Sequence, residues 1–229
     1  MLLTCDHLLS WHKGSEKIEY KTTRGVLGNR LNDSIYVDPD TGKDDNTGAD
    51  YSPYRTIKKA LKEVEADETI LLKNGIYTGN GNNALIIDKN VTIIGESQKY
   101  TVIDGGKIFS IFEIDYDAHL TLQNLTIKNG RGDNGGAICN EGTLTVEECT
   151  FEANTSNEGG AIYHKNKGKC TVKKSNFRDN NSKTAHAIYC NSDVYVEAIS
   201  NWWGSAAGPT EKDIYGHVKY TPWLTKPIK

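Results

Sequence analysis

The chain has 229 residues, enough to bury a sizeable core as one solenoid or as one globular domain with an extension. Lysine and arginine number 27 against 30 aspartates and glutamates, and the formal net charge of −3 excludes the strong positive field of a nucleic-acid binder. Apolar runs stop after four or five residues, whereas a membrane-spanning helix needs about 20.

Residues 1–33 fit no repeat and are read as an N-terminal extension, either disordered or packed on the rest of the chain. The stretch Met1 to His7 has no basic region and too short an apolar run for a signal peptide. An upstream start, another export route and an internal protein all fit that.

Residues 34–68 read as an N-terminal cap of strand, loop and helix. The strand is Ile35-Tyr36-Val37. The polar, turn-rich segment 38–54 reads as a surface loop carrying Asp38, Asp40, Asp44 and Asp45. These are hard oxygen ligands, so calcium is the one metal considered, and no other cofactor is expected. The spacing departs from the EF-hand pattern, and a solvated acidic loop is the competing reading. Over 56–66, Thr56 is an N-cap candidate. Ile57, Ala60, Leu61 and Val64 fall on one face of a helix.

Short alternating runs dominate from residue 69 to 200. Thr69 to Leu72 and Leu85 to Ile87 supply one coil. Val91 to Gly95, Thr101 to Gly106 and Ile108 to Ile114 supply the next, which carries an insertion because 29 residues separate Val91 from Leu120. Then the repeat becomes explicit. Leu120-Thr121-Leu122, Leu144-Thr145-Val146, Cys170-Thr171-Val172 and Val194-Tyr195-Val196 open units spaced 24, 26 and 24 residues apart. A second marker, Gly135-Gly136-Ala137-Ile138, returns as Gly159-Gly160-Ala161-Ile162 and, weakened, as Ala185-His186-Ala187-Ile188.

Two independent markers at one spacing identify stacked supersecondary units. Period-two alternation gives each unit three short strands. No unit has a helical half, which argues against leucine-rich repeats, and the period is too short for propeller blades. The expected architecture is all-β: a parallel β-helix of five to six coils with a short N-terminal capping helix.

In that register Ile138, Ile162 and Ile188 form one interior column, and Ile127, Phe151 and Phe177 another. Outside, Lys128/Glu152/Arg178 and Gln123/Glu147/Lys173/Glu197 form mixed-charge columns. The paired glycines are expected at tight turns of positive φ or at close approaches between coils.

Cys139, Cys149, Cys170 and Cys190 lie inside the repeats and Cys5 before them. They read as buried thiols, with a disulfide between adjacent coils as the alternative. Residues 201–229 read as a C-terminal cap. Trp202, Trp203, Trp223 and Leu224 are expected to cover the last coil, and sugar binding by the tryptophans is the alternative.

The segments Ile35 to Asp38, Ser52 to Ile57, Asn74 to Tyr77, Val91 to Gly95, Val102 to Gly106, the paired Gly-Gly-Ala-Ile markers, and Asn201 to Gly204 with Gly208-Pro209 carry a family resemblance. Over about residues 34–224 the chain resembles the right-handed parallel β-helices of the pectin-lyase-like superfamily. More narrowly, it is similar to the adhesin-like surface proteins of methanogenic archaea. The resemblance implies a right-handed solenoid and an extracellular or cell-surface location. Its implied partner is a polysaccharide or a cell-surface glycoprotein. Adhesin-like members are usually longer than this chain, and His186 replaces a glycine of the marker.

Enzymes of that superfamily imply a search for clustered carboxylates, often with calcium, and a basic residue. Asp104, Asp115, Asp117, Asp133, Glu147, Glu148, Glu152 and Asp179 are the carboxylates that outward columns could gather. Glycoside hydrolysis would need two of them facing each other across a groove. His7, His12, His119, His164, His186 and His217 form no metal-binding spacing, and no serine sits in an elbow motif. No catalytic, cofactor-binding or metal residue is therefore assigned. The sequons at Asn32, Asn90, Asn124, Asn154 and Asn180 fit an exported protein and also arise by chance in such a composition. The expectation is a non-catalytic module presenting a rigid face to a glycan or protein. The alternative is a polysaccharide lyase or glycoside hydrolase with a shallow groove.

Overall fold

The computed structural model describes residues 34–165 and 167–229, which form a right-handed parallel β-helix of about six turns with one short helix near its start. The readings of residues 1–33, with Cys5, His7, His12 and Asn32, lie outside the described residues.

Three walls of parallel strands surround one core. Sheet I stacks Ser34–Val37, Thr69–Leu72, Val91–Gly95, His119–Gln123, Thr143–Glu147, Cys170–Lys173, Val196–Glu197 and Val218–Lys219. Sheet II stacks Gly75–Thr78, Thr101–Asp104, Thr126–Lys128, Thr150–Glu152 and Asn176–Arg178. Sheet III stacks Leu85–Ile87, Phe112–Ile114, Ile138–Asn140, Ile162–Lys165, Ile188–Asn191 and Ile214–Tyr215.

A narrow fourth wall, sheet IV, pairs Thr155–Glu158 with Asn181–Thr184, and bridges at Arg131 and Asn134 extend it by one coil. The sequence reading allowed three strands per coil and missed this one. Its residues are polar throughout, so it shows no apolar alternation and is recognisable only by its pairing.

Side chains stack as the period requires. Ile138 pairs with Ile162 and Ile162 with Ile188, all fully buried. Ile127, Phe151 and Phe177 form the parallel column, with the two phenylalanine rings 5.1 Å apart. Each such side chain contributes about 1.5–3 kcal/mol relative to exposure.

The last repeat needs a correction. Thr171 pairs with Glu197, so Cys170 is followed by Val196, one pleat later than the sequence register placed it. A slip of two residues keeps every side chain on its own face, so alternation alone does not detect it. The shift sets Trp202 beside Asn176 and Trp203 on Phe177. Glu197 no longer stands directly opposite Lys173, yet the two remain ion-paired at 3.2 Å.

The corners of the coil are left-handed residues. Asn124, Glu148, Lys174 and Ser200 turn the chain from sheet I to sheet II at φ between 44° and 57°. Asn129, Ala153 and Asp179 end sheet II at φ of 53–55°. Gly135, Gly159 and Ala185 precede sheet III at φ of 63–68°. The second glycine of the marker serves a different purpose. A Cβ on Gly160 would lie 2.2 Å from the carbonyl oxygen of His186, so the neighbouring coil requires its absence.

Buried amides lock coil to coil. Asn154 accepts from the Gly130 backbone N–H at 2.8 Å and donates to the Ile127 carbonyl at 3.0 Å, while Asn180 donates to the Phe151 carbonyl. Asn201 accepts from Ser175 N–H and donates to the Val172 carbonyl. Asn124 donates to the Gly95 carbonyl. The sequon asparagines 124, 154 and 180 are therefore engaged in the scaffold.

At the N-terminal end the helix spans Ile57–Glu63, with Thr56 as its N-cap accepting from the Lys59 N–H. Segment 38–54 folds back on the first strand: Tyr54 exchanges backbone bonds with Tyr36 and Asp38 and is itself buried. At the other end, Leu224 bonds to the Asn201 carbonyl, and Ile228 is held by the amide of Asn176.

Candidate ligand-binding face

The outward positions of sheet III form one continuous column. Pairwise register runs Ile86, Glu113, Cys139, Tyr163, Tyr189, Tyr215. Its upper half is aromatic. Tyr163 and Tyr189 stack with centroids 5.3 Å apart, and Tyr189 and Tyr215 with centroids 4.5 Å apart. Exposure rises along the stack from 5% at Tyr163 to 51% at Tyr215, whose ring ends it. Tyrosine combines an apolar ring with a polar tip. The Tyr163 hydroxyl accepts from the Asn191 amide at 3.3 Å. Burial, followed by the nearby Glu158 carboxylate, pushes the Tyr189 phenol up.

Beside the lower half lies a cleft of about 390 Å³. Ile108, Phe109 and Ser110 come from the insertion, Glu113 from the column itself, Arg131, Gly132 and Asp133 from the next coil, and Ala84 from the coil before. Backbone bonds fix the walls: Arg131 N–H donates to the Phe109 carbonyl, and the Ser110 hydroxyl donates to the Gly135 carbonyl. Ile108 and Phe109 are more than half exposed. Arg131 has no ion-pair partner among the described residues, while Asp133 accepts from the Asn157 amide. The cleft thus offers an apolar edge, one guanidinium and two carboxylates. The sequence showed the insertion as excess length. It did not reveal Glu113 and Arg131 as site residues, because the cleft joins three successive coils.

The other carboxylates singled out in the sequence do not converge. Asp104 pairs with Lys128 at 3.5 Å and accepts from the Asn129 amide. Glu147 and Glu148 face Lys174, and Glu152 pairs with Arg178 at 2.8 Å. Asp115 and Asp117 lie exposed at the turn after sheet III, and Asp179 borders a small hollow with Arg178 and His186. Of the four aspartates of the N-terminal loop, Asp40 and Asp45 are exposed, and Asp38 and Asp44 bind backbone N–H groups. Asp38 accepts from Asp40, Thr41 N–H and the Thr41 hydroxyl; Asp44 accepts from Arg55, Thr56 N–H and the Thr56 hydroxyl. Among the described residues no three His, Cys, Asp or Glu side chains group to hold a metal ion.

His119 bonds the Thr145 hydroxyl at 3.0 Å, and His217 lines a separate hollow with Lys167 and Asp193. His164 is fully buried with its Nδ1 against the Asn140 amide and its Nε2 unpartnered. The four described cysteines are free thiols. Cys149 and Cys170 are core, whereas Cys139 is half-buried on the outward column, and burial pushes its thiol up to about 11.

A second outward column, on sheet I, stacks Ser34, Thr69, Thr92, Thr121, Thr145 and Thr171. None of the three hollows described above is lined by it.

A family model described as a protein of unknown function (DUF1565) matches residues 40–201. No curated protein matches the chain.

Proposed function

The chain belongs to the DUF1565 family, and from that footing we propose that it is a surface-type β-helix module that binds a glycan chain along the outward face of sheet III. The observation that carries this reading is the in-register column ending in Tyr163, Tyr189 and Tyr215, with the cleft beside its lower half. Stacked rings with hydroxyl tips suit ligands that are apolar on one face and polyhydroxylated at the rim. The net charge of −3 provides no general attraction for a polyanion. The resemblance to pectin-lyase-like and archaeal adhesin-like proteins supports the same reading and, with it, an extracellular or cell-surface location.

The test is retention of the protein on a panel of neutral and acidic polysaccharides. At least one should retain it, and Tyr215→Ala should weaken binding about tenfold, from one lost aromatic contact. Absence of retention on every polymer, or retention indifferent to Tyr189→Ala and Tyr215→Ala, overturns the proposal.

A second reading attaches to the cleft, where Glu113 and Asp133 accompany Arg131. Two carboxylates beside a cationic residue are the parts that a polysaccharide lyase or hydrolase uses. Release of new chain ends by the wild type, abolished by Glu113→Gln or Arg131→Ala, would establish it in place of simple binding.

A further inference from the structure

We infer that the cleft formed by the insertion is an end-recognition subsite, which seats the terminal residue of a neutral glycan chain. This deepens the glycan reading and rests on it. Three observations lead there. Its volume of about 390 Å³ sits near the lower bound of about 300 Å³ for small-molecule pockets, a size for a sugar unit or two instead of a long chain. Next, its position is asymmetric. The wall made by 108–110 stands beside Glu113, the second member of the column, whereas the tyrosines occupy its upper levels. A chain descending the column from Tyr215 meets that wall.

The lining chemistry is the third. A terminal sugar carries a free hydroxyl that internal residues have spent on a linkage. Glu113 and Asp133 are acceptors for such hydroxyls, Arg131 is a donor, and Ile108 with Phe109 can cover an apolar sugar face. An acidic terminal sugar would gain Arg131 but face two carboxylates, so neutral ends are favoured.

The experiment uses whichever neutral polymer the chain binds, supplied at fixed mass but cut progressively shorter. End recognition makes bound protein rise in proportion to the number of chain ends. Phe109→Ala and Arg131→Ala, both at exposed positions, should each remove that proportionality while leaving the melting temperature in place. Capacity that stays constant per mass of polymer overturns the end-recognition inference alone. Failure of the wild type to bind any polymer overturns the glycan reading and this inference together.

Discussion

Trp203 lies face to face on Phe177, ring centroids 4.7 Å apart and planes 11° from parallel. It extends the column that Ile127, Phe151 and Phe177 begin, so the last large ring of this wall is core, only 5% exposed. Its neighbour Trp202 is half-buried on the opposite side of the strand. Trp203→Ala should therefore cost about 3–5 kcal/mol, the usual range for a buried ring, and Trp202→Ala clearly less. Urea unfolding of the two variants compares them directly. Equal costs would contradict the register that puts Trp203 on Phe177.

Ile162 lies between Ile138 and Ile188 in the middle of the solenoid, with no exposed surface. Ile162→Ala should cost about 2–5 kcal/mol. Ile162→Asp should eliminate folded protein, because an unpaired carboxylate has no partner in that column. Circular dichroism and solubility of the Asp variant check this.

Much of this was legible beforehand, and for a physical reason: a coil cannot bury its own apolar face, so equivalent residues must recur at one spacing. Ile138, Ile162 and Ile188 announce the fold, and Thr56 with Ile57 and Ala60 announces the capping helix. Glu152 between Lys128 and Arg178 was readable as charge compensation. The shift of Val196 onto Cys170 was not readable, because a two-residue slip preserves facing. The cleft was not readable either. Glu113 and Arg131 are 18 residues apart in sequence and meet only through stacking.

Two neighbouring marker positions should respond oppositely to one methyl group. Ala185 occupies the corner that Gly135 and Gly159 fill elsewhere, at φ 63°. A left-handed non-glycine residue costs about 1–2 kcal/mol. The extra freedom of glycine in the unfolded chain costs about 0.5–1 kcal/mol. Ala185→Gly should therefore stabilise the protein by up to about 1.5 kcal/mol. Gly160→Ala should destabilise it by more than that, since the new Cβ would sit 2.2 Å from the His186 carbonyl oxygen. Melting temperatures of the pair decide the sign of each.

Stability should depend on pH through His164. Burial holds its imidazole below the ordinary value of 6.5, with the backbone of Gly168 pulling weakly the other way. Asn140 donates to Nδ1, which puts the ring's one proton on Nε2 and leaves a second proton, on Nδ1, facing a donor. In the unfolded chain the ring protonates near pH 6.5, so below that point the unfolded state binds more protons than the folded one. The contribution is fully present above about pH 6.5 and falls as pH drops, levelling off below the depressed folded value. Asp38 acts in a separate window. Burial pushes its carboxyl up, but the bonds from Thr41 and Asp40 outweigh this and hold it below 3.8, so its contribution is lost only in stronger acid. Urea midpoints measured from pH 8 to pH 5 should therefore decline only below about 6.5. His164→Gln should flatten that decline, while the acid limb set by Asp38, read by extending the series below about pH 4, should remain. A decline unchanged in His164→Gln would assign the mid-range dependence to another group.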